Sequence, residues 1–384
     1  MTIPVARRIA ELPPYLFAEL DRKIARKRAE GVDVISLGVG DPDLPTPPHI
    51  VEAARRGAAD PSTHRYPSYF GMPELRQAIA GWYGDRFGVR LDPETQIQPL
   101  IGSKEGIAHL PLAYVDPGDR VLVPDPGYPV YAIGTLLAGG ISVPMPLTAE
   151  GGFLPDLDRV AVPDGTRLLW LNYPSNPTAA VADLGFLERA AAFASEHGLL
   201  LAHDAAYTEL TYDGFVAPSA LEASVDGVVE FGSVSKTYNM TGWRVGWAAG
   251  DPSVIEALAT VKTNIDSGIF NALQQAAIAA LTGPQDVVED VRAVYQKRRD
   301  LVVGTLNGLG WDLEPPRGSI YVWLPTKGGG SSGDFCELLL DRAGVVLAPG
   351  SGYGQAGQGF ARISLTVPDD RMAEAMDRIR DALA

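Results

Sequence analysis

Short apolar-rich runs alternate along this chain with longer stretches in which apolar residues recur every three or four positions. The runs at 97–100, 120–123, 167–171, 199–202 and 228–231 are too short for helices and read as strands. Helical spacing fills 74–87 and 184–197, the second lying between two of the runs. That alternation predicts an α/β fold with a mostly parallel central sheet flanked by helices. A further run at 245–249 also reads as a strand. Beyond Pro252 the chain turns helical, and Val288, Val291, Val294 and Tyr295 mark one long helix over 285–309. A smaller α+β unit follows, with strands at 320–324, 345–347 and 361–365 and helices at 334–343 and 369–383. At the other end, Pro13-Pro14 enters an amphipathic helix, and a strand at 32–37 leads into a Gly/Pro-dense loop at 38–48. The predicted organisation is a large domain over 46–284 and a small domain built from 1–45 together with 285–384.

Composition narrows the partners more than the fold. With 384 residues, 46% hydrophobic and 21% charged, the chain can bury substantial cores. A formal net charge of −15 argues against nucleic acid or an anionic membrane surface as partner, so any anion must be bound locally. The single cysteine, Cys336, excludes an internal disulfide and a thiolate-rich metal site, and it reads as helix core. No metal is expected. No run is long enough to span a membrane, and the first residues lack a secretory apolar core, so the expected location is cytoplasmic.

Candidate chemistry gathers just after the apolar runs, where open parallel sheets bind ligands. Ser233-Val234-Ser235-Lys236 follows one run, and Arg244 lies beyond a glycine. A lysine amine condenses with an aldehyde, while hydroxyls, backbone N–H groups and an arginine suit a phosphate monoester. Together they suggest pyridoxal phosphate; the plain alternative is a solvated loop lysine. After 97–100, Gly102-Ser103-Lys104-Glu105-Gly106 opens a helix, either as a phosphate cup or as an ordinary helix entry. After 167–171, Asn176 sits between two prolines, placed to hydrogen-bond a ring substituent or simply to make a turn. After 199–202, Asp204 needs a cationic or hydrogen-bonding partner, such as a protonated pyridine nitrogen, unless it caps a helix. Alternation sets Arg362 and Ser364 opposite Ile363 and Leu365, so the guanidinium can leave the core and offer a fork to a carboxylate, or make a surface salt bridge. Tyr128, in Gly127-Tyr128-Pro129, can stack on a flat ring or pack in the core.

Ser233-x-Ser235-Lys236 with Arg244, Asp204-x-x-Tyr207, Asn176-Pro177-Thr178 and Arg362, in their order along the chain, resemble the class I/II pyridoxal-phosphate aminotransferases of fold type I. The resemblance covers essentially the whole chain. Within that family, the stretches 12–20, 38–45, 101–107 and 236–244 look like those of bacterial LL-diaminopimelate aminotransferases. The resemblance implies that Lys236 holds the cofactor covalently and then carries the proton at the substrate Cα. It implies that Asp204 keeps the pyridine nitrogen protonated, that Asn176 and Tyr207 bond the ring oxygen, and that Tyr128 stacks on the ring. Ser103, Lys104, Ser233, Ser235 and Arg244 would surround the phosphate. Tyr66 would reach the phosphate of a neighbouring subunit, so a homodimer with interface sites is implied. Arg362, helped by the Gly40 backbone, would bind the substrate α-carboxylate, with Asn176 close by, and Tyr15, Lys104 and residues 264–271 are candidate readers of its distal end.

The implied reaction is transamination between an amino acid and a 2-oxo acid, with glutamate/2-oxoglutarate and LL-2,6-diaminopimelate/tetrahydrodipicolinate as the expected pairs. Another amino acid as substrate, or a β-lyase reaction on the same cofactor, is the alternative. One departure stands out. The family usually has glycine after Asn-Pro-Thr, where this chain has Ala179, so a loop needing positive φ there would be strained.

Overall fold

The most uniformly apolar runs form the middle of a sheet. Leu200–Asp204 and Val228–Ser233 are buried at every position, as expected of strands covered by helices on both faces. The computed structural model describes residues 3–13, 16–327 and 330–383. It sets these strands in a seven-stranded sheet ordered Ile97–Leu100, Gly246–Gly250, Val228–Ser233, Leu200–Asp204, Thr166–Asn172, Arg120–Asp125, Ile141–Pro146. Every pairing is parallel except the two made by Gly246–Gly250. The last strand is absent from the sequence reading. Its Pro144 and Pro146 argue against an inner strand, and it is in fact a partly exposed edge, where missing N–H groups cost little.

Register explains why polar residues converge. Asn172 lies opposite Asp204, and Asp204 opposite Phe231. Because Gly246–Gly250 runs backwards, its first residue faces both Ser233 and Leu100. The loops after four parallel strands and the entry to the reversed one therefore share a single edge.

The C-terminal part is built on a different plan. Tyr321–Pro325, Phe360–Ser364 and Ala348–Pro349 form an antiparallel three-stranded sheet. The long helix Asp286–Gly308 buries Val288, Val291, Tyr295, Val302 and Leu306 at helical spacing. All of these but Val288, which packs in the core of the large sheet, share a core with Leu339, Ile363 and Met376. The strand expected at 32–37 shrinks to Ile35–Ser36, which pairs in parallel with Val345–Val346. The run 345–347 divides after Val346, because Ala348–Pro349 joins the other sheet. Cys336 is buried in helix Ser332–Ala343. Among the described residues no helix is long and apolar enough to cross a membrane.

Candidate active site

Lys236 owes its position to the turn before it. Ser233 ends its strand, and its hydroxyl oxygen accepts the Ser235 N–H at 3.1 Å while donating to the Val245 carbonyl at 3.2 Å. This folds the chain into the short helix Val234–Thr237. Lys236 then reaches across the sheet edge to donate to the Gly40 carbonyl at 2.6 Å. Burial holds its amine below the ordinary lysine value; Tyr321 and Asp41 oppose the shift, whereas Arg362 and Arg244 reinforce it. A lysine so placed has a larger uncharged, nucleophilic fraction near neutral pH.

Asp204 is buried, and its carboxylate is only half satisfied. Oδ2 accepts the Tyr131 hydroxyl at 2.8 Å, whereas Oδ1 has no hydrogen-bond partner. Burial pushes its carboxyl up to about 6, against the lowering effects of Tyr131 and His203. The next residue back along the strand faces the other side of the sheet and lives in the opposite condition. His203 Nδ1 lies 2.9 Å from Glu230 Oε2, and its Nε2 accepts the Tyr173 N–H at 3.3 Å, which places the ring proton on Nδ1. Glu230 also accepts Tyr83 and Ser219 hydroxyls and the Ala220 N–H, at 3.0, 2.9 and 2.8 Å. Its acceptor sites are thus filled, as burial of a carboxylate demands.

Arg362 corrects the expectation that its guanidinium leaves the core. It is wholly buried. It donates to Asn176 Oδ1 at 2.6 Å and to the Gly38 carbonyl at 2.7 Å. Tyr321 and Tyr353 flank it, with the guanidinium carbon 3.9 and 4.9 Å from their ring centroids. The side chain faces aromatic rings and backbone instead of solvent because the loop at 38–40 covers its strand, and Gly38 supplies its backbone contact. Asn176 itself is braced, its N–H donating to Asn172 Oδ1 at 2.8 Å. The Tyr207 hydroxyl lies 3.0 Å from that of Tyr321. Burial raises the Tyr207 phenol well above its ordinary value, so it stays protonated and able to donate.

The loop after Ile97–Leu100 has the features of an anion cup. Gly102 has φ +74°, and a Cβ there would lie 2.1 Å from Arg244 Nη2, so glycine serves both the turn and the close approach of the guanidinium. Helix Ser103–Tyr114 starts at once, so the positive end of its dipole faces the loop. Arg244 takes φ +57° and donates to the Thr241 carbonyl at 2.8 Å. Behind the cup, Glu105 accepts the Ile101 N–H at 2.5 Å and pairs with Lys262, which also pairs with Asp266 at 2.7 Å. Lys262 is buried, and Asp266 Oδ1 in turn accepts the Gly268 N–H at 2.7 Å.

Residues 32–379 match the model of the family described as aminotransferase class I and II. The chain belongs to the class I and II aminotransferases. It is 57% identical to an LL-diaminopimelate aminotransferase of Desulforudis audaxviator, covering 100% of this chain and 99% of the relative. A protein of the same name from Moorella thermoacetica is 56% identical, with 98% of each covered. Among solved structures it resembles substrate-bound BacF of Bacillus subtilis, with a TM-score of 0.94 and 38% identity over 99% and 98% of the two chains. It also resembles a Thermus thermophilus aspartate aminotransferase with maleate, with a TM-score of 0.93 and 33% identity over 99% and 100%.

Within this aminotransferase the expected site residues fall into three groups. Lys236, Asp204, Asn176, Tyr207, Arg362, Ser233, Ser235, Arg244, Ser103 and the Gly40 backbone gather at one sheet edge. Tyr128 joins them through an edge-on contact with Tyr131, centroids 5.8 Å apart. Lys104 is exposed beside the cup, and Tyr66 is 87% exposed. Tyr15 lies outside the described residues. Sequence reasoning overlooked Tyr131, Asn172, Gly38 and Tyr321. Only Tyr131 carried a signal, three residues after Tyr128 in the first turn of helix Val130–Ala138. Ala179 has φ +58° and is buried, so the loop does take the backbone form that glycine would fill without strain.

Proposed function

We propose that this aminotransferase moves an amino group between LL-2,6-diaminopimelate/tetrahydrodipicolinate and glutamate/2-oxoglutarate with pyridoxal 5'-phosphate as cofactor. The observation that carries the cofactor assignment is the buried, partnerless Oδ1 of Asp204, at the end of a strand on the same sheet edge as Lys236. A protonated ring nitrogen supplies the missing partner. The cup, Ser233, Ser235 and Arg244 fit a phosphate, and Ser103 and Lys104 extend the cup. Tyr128 suits one face of a flat ring. The substrate assignment rests on the full-length relatives.

When bound, pyridoxal 5'-phosphate supplies an aldehyde that captures an amine and a ring that accepts the electron pair released at Cα. The protein's own groups do the rest. Lys236 Nζ, with its lowered basicity, would take the proton from the substrate Cα and later give it back, as base and then acid. Asp204 holds a proton at the ring nitrogen. Arg362 binds the α-carboxylate with its planar fork and so orients the Cα–H bond toward Lys236. Because Asn176 Oδ1 is engaged by Arg362, its amide N–H2 remains to donate to the ring oxygen, as does Tyr207. Tyr66 lies in a segment with the exposed Tyr69 and Phe70, and we assign this face to a homodimer interface at which Tyr66 completes the partner's cup. The large unit spans 46–284, and the small unit combines 1–45 with 285–384.

A donor and acceptor panel tests the reading. Turnover of LL-2,6-diaminopimelate with 2-oxoglutarate, above that of other amino donors, is expected. Inactivity with it beside good turnover of another amino acid would remove the substrate assignment and leave the aminotransferase.

A further inference from the structure

Tyr321 touches most of the site, and neither the motifs nor the mechanism above gives it a task. It opens strand Tyr321–Pro325 and lies opposite Ser364, two residues from Arg362. Its side chain is buried. Its hydroxyl is 3.0 Å from that of Tyr207, and the two rings meet edge to face at 5.7 Å. The same hydroxyl fills the space beside Gly40, where an added Cβ would lie only 2.0 Å away. The Gly40 carbonyl, in turn, holds Lys236 Nζ. The ring underlies the Arg362 guanidinium at 3.9 Å, within cation–π range.

Hydrogen counting sets the direction of the hydroxyl pair. A phenol has one proton to give. If Tyr207 donates to the ring oxygen of the cofactor, its contact with Tyr321 must be one in which Tyr321 is the donor. Each donor in such a chain strengthens the next.

Building on the cofactor reading above, we propose that Tyr321 is a positioning residue with two separable tasks. Its hydroxyl aims and polarises the Tyr207 O–H toward the cofactor's ring oxygen, and its ring holds the Arg362 fork in place for the substrate carboxylate. Phenylalanine preserves the second task and removes the first. Leucine removes both.

The test uses the cofactor-loaded protein. The pH midpoint of the visible absorbance of the Lys236-bound cofactor is measured alongside KM for the amino and 2-oxo acids. A weaker Tyr207 donor leaves negative charge on the ring oxygen less stabilised, so a neighbouring proton is held more tightly. Tyr321→Phe should therefore raise the midpoint by about 0.5–1 pH unit, one neutral hydrogen bond's worth, with KM within about twofold. Tyr321→Leu should raise the midpoint similarly and also raise KM about tenfold, the loss of a desolvated cation–π contact. Tyr321→Met replaces the leucine arm if that variant does not fold. An unmoved midpoint in Tyr321→Phe overturns the hydroxyl relay, and equal KM values in the phenylalanine and leucine proteins overturn the support of Arg362. A wild-type protein that binds no pyridoxal 5'-phosphate would instead remove the cofactor reading beneath both.

Discussion

Replacing Lys262 by methionine tests how the anion cup is held. The ammonium is 1% exposed and lies 3.1 Å from Glu105 and 2.7 Å from Asp266. Methionine keeps most of the volume but leaves two carboxylates facing each other without a cation. Removing one member of a buried ion pair costs about 3–5 kcal/mol. The carboxylates here are 12% and 18% exposed, which lets some water reach them and places the loss near the lower end, about 3 kcal/mol.

The pH dependence makes the test specific. Burial pushes the Glu105 carboxyl up, but His109, Lys262 and the Ile101 N–H outweigh it and hold it below its ordinary value. A depressed carboxyl contributes stability that is present above its unfolded pKa and lost as pH falls through the folded one. The wild type should therefore lose this contribution below about pH 4–5, while the variant has little of it to lose, and the gap between them should narrow. Urea unfolding at pH 7 and pH 4 measures both. A deficit under about 1 kcal/mol at pH 7, or one that does not shrink on acidification, would refute the reasoning. Adding Glu105→Gln to the variant should recover part of the loss, since the repulsion needs both carboxylates.

Three further outcomes follow from other sites. Asp204 has its carboxyl raised from 3.8 to about 6, so the cofactor-free protein should lose up to about 3 kcal/mol of stability as pH rises from 4 to 7, and Asp204→Asn should flatten that slope in urea titrations. Arg362→Lys replaces a planar fork with a point charge, and kcat/KM for every amino acid should fall about 30–100-fold, as loss of a charge-assisted pair of about 2–3 kcal/mol requires; steady-state kinetics reads it. At Ala179, a β-branched residue meets both positive φ and burial, so Ala179→Val should cost about 2–4 kcal/mol in thermal or urea unfolding, whereas Ala179→Gly should be tolerated.

The central strands were legible because burial on both faces leaves unbroken apolar runs, and their polar ends could be collected from an edge rule without knowing which strand neighbours which. The edge strand Ile141–Pro146 was not, since its prolines are tolerated only at a sheet edge and edge status is a property of the assembled sheet. Arg362 shows a second limit. Alternation placed it correctly relative to Ile363, but the loop that buries it comes from residue 38, 324 positions away. Tyr321 and Gly38 likewise matter through contacts that no local pattern announces.

The single hydrogen bond that Lys236 makes among the described residues, to the Gly40 carbonyl, has an evolutionary consequence. The framework around it is held by other groups: the filled Glu230 cluster, the Lys262 triad and the sheet itself. Its own tie to the fold is slight, so on the proposed mechanism a substitution there should remove the chemistry at little structural expense. A lineage of this chain could thus shed catalysis in one step and keep a folded, ligand-shaped cleft available for another use, such as sensing the same small molecules.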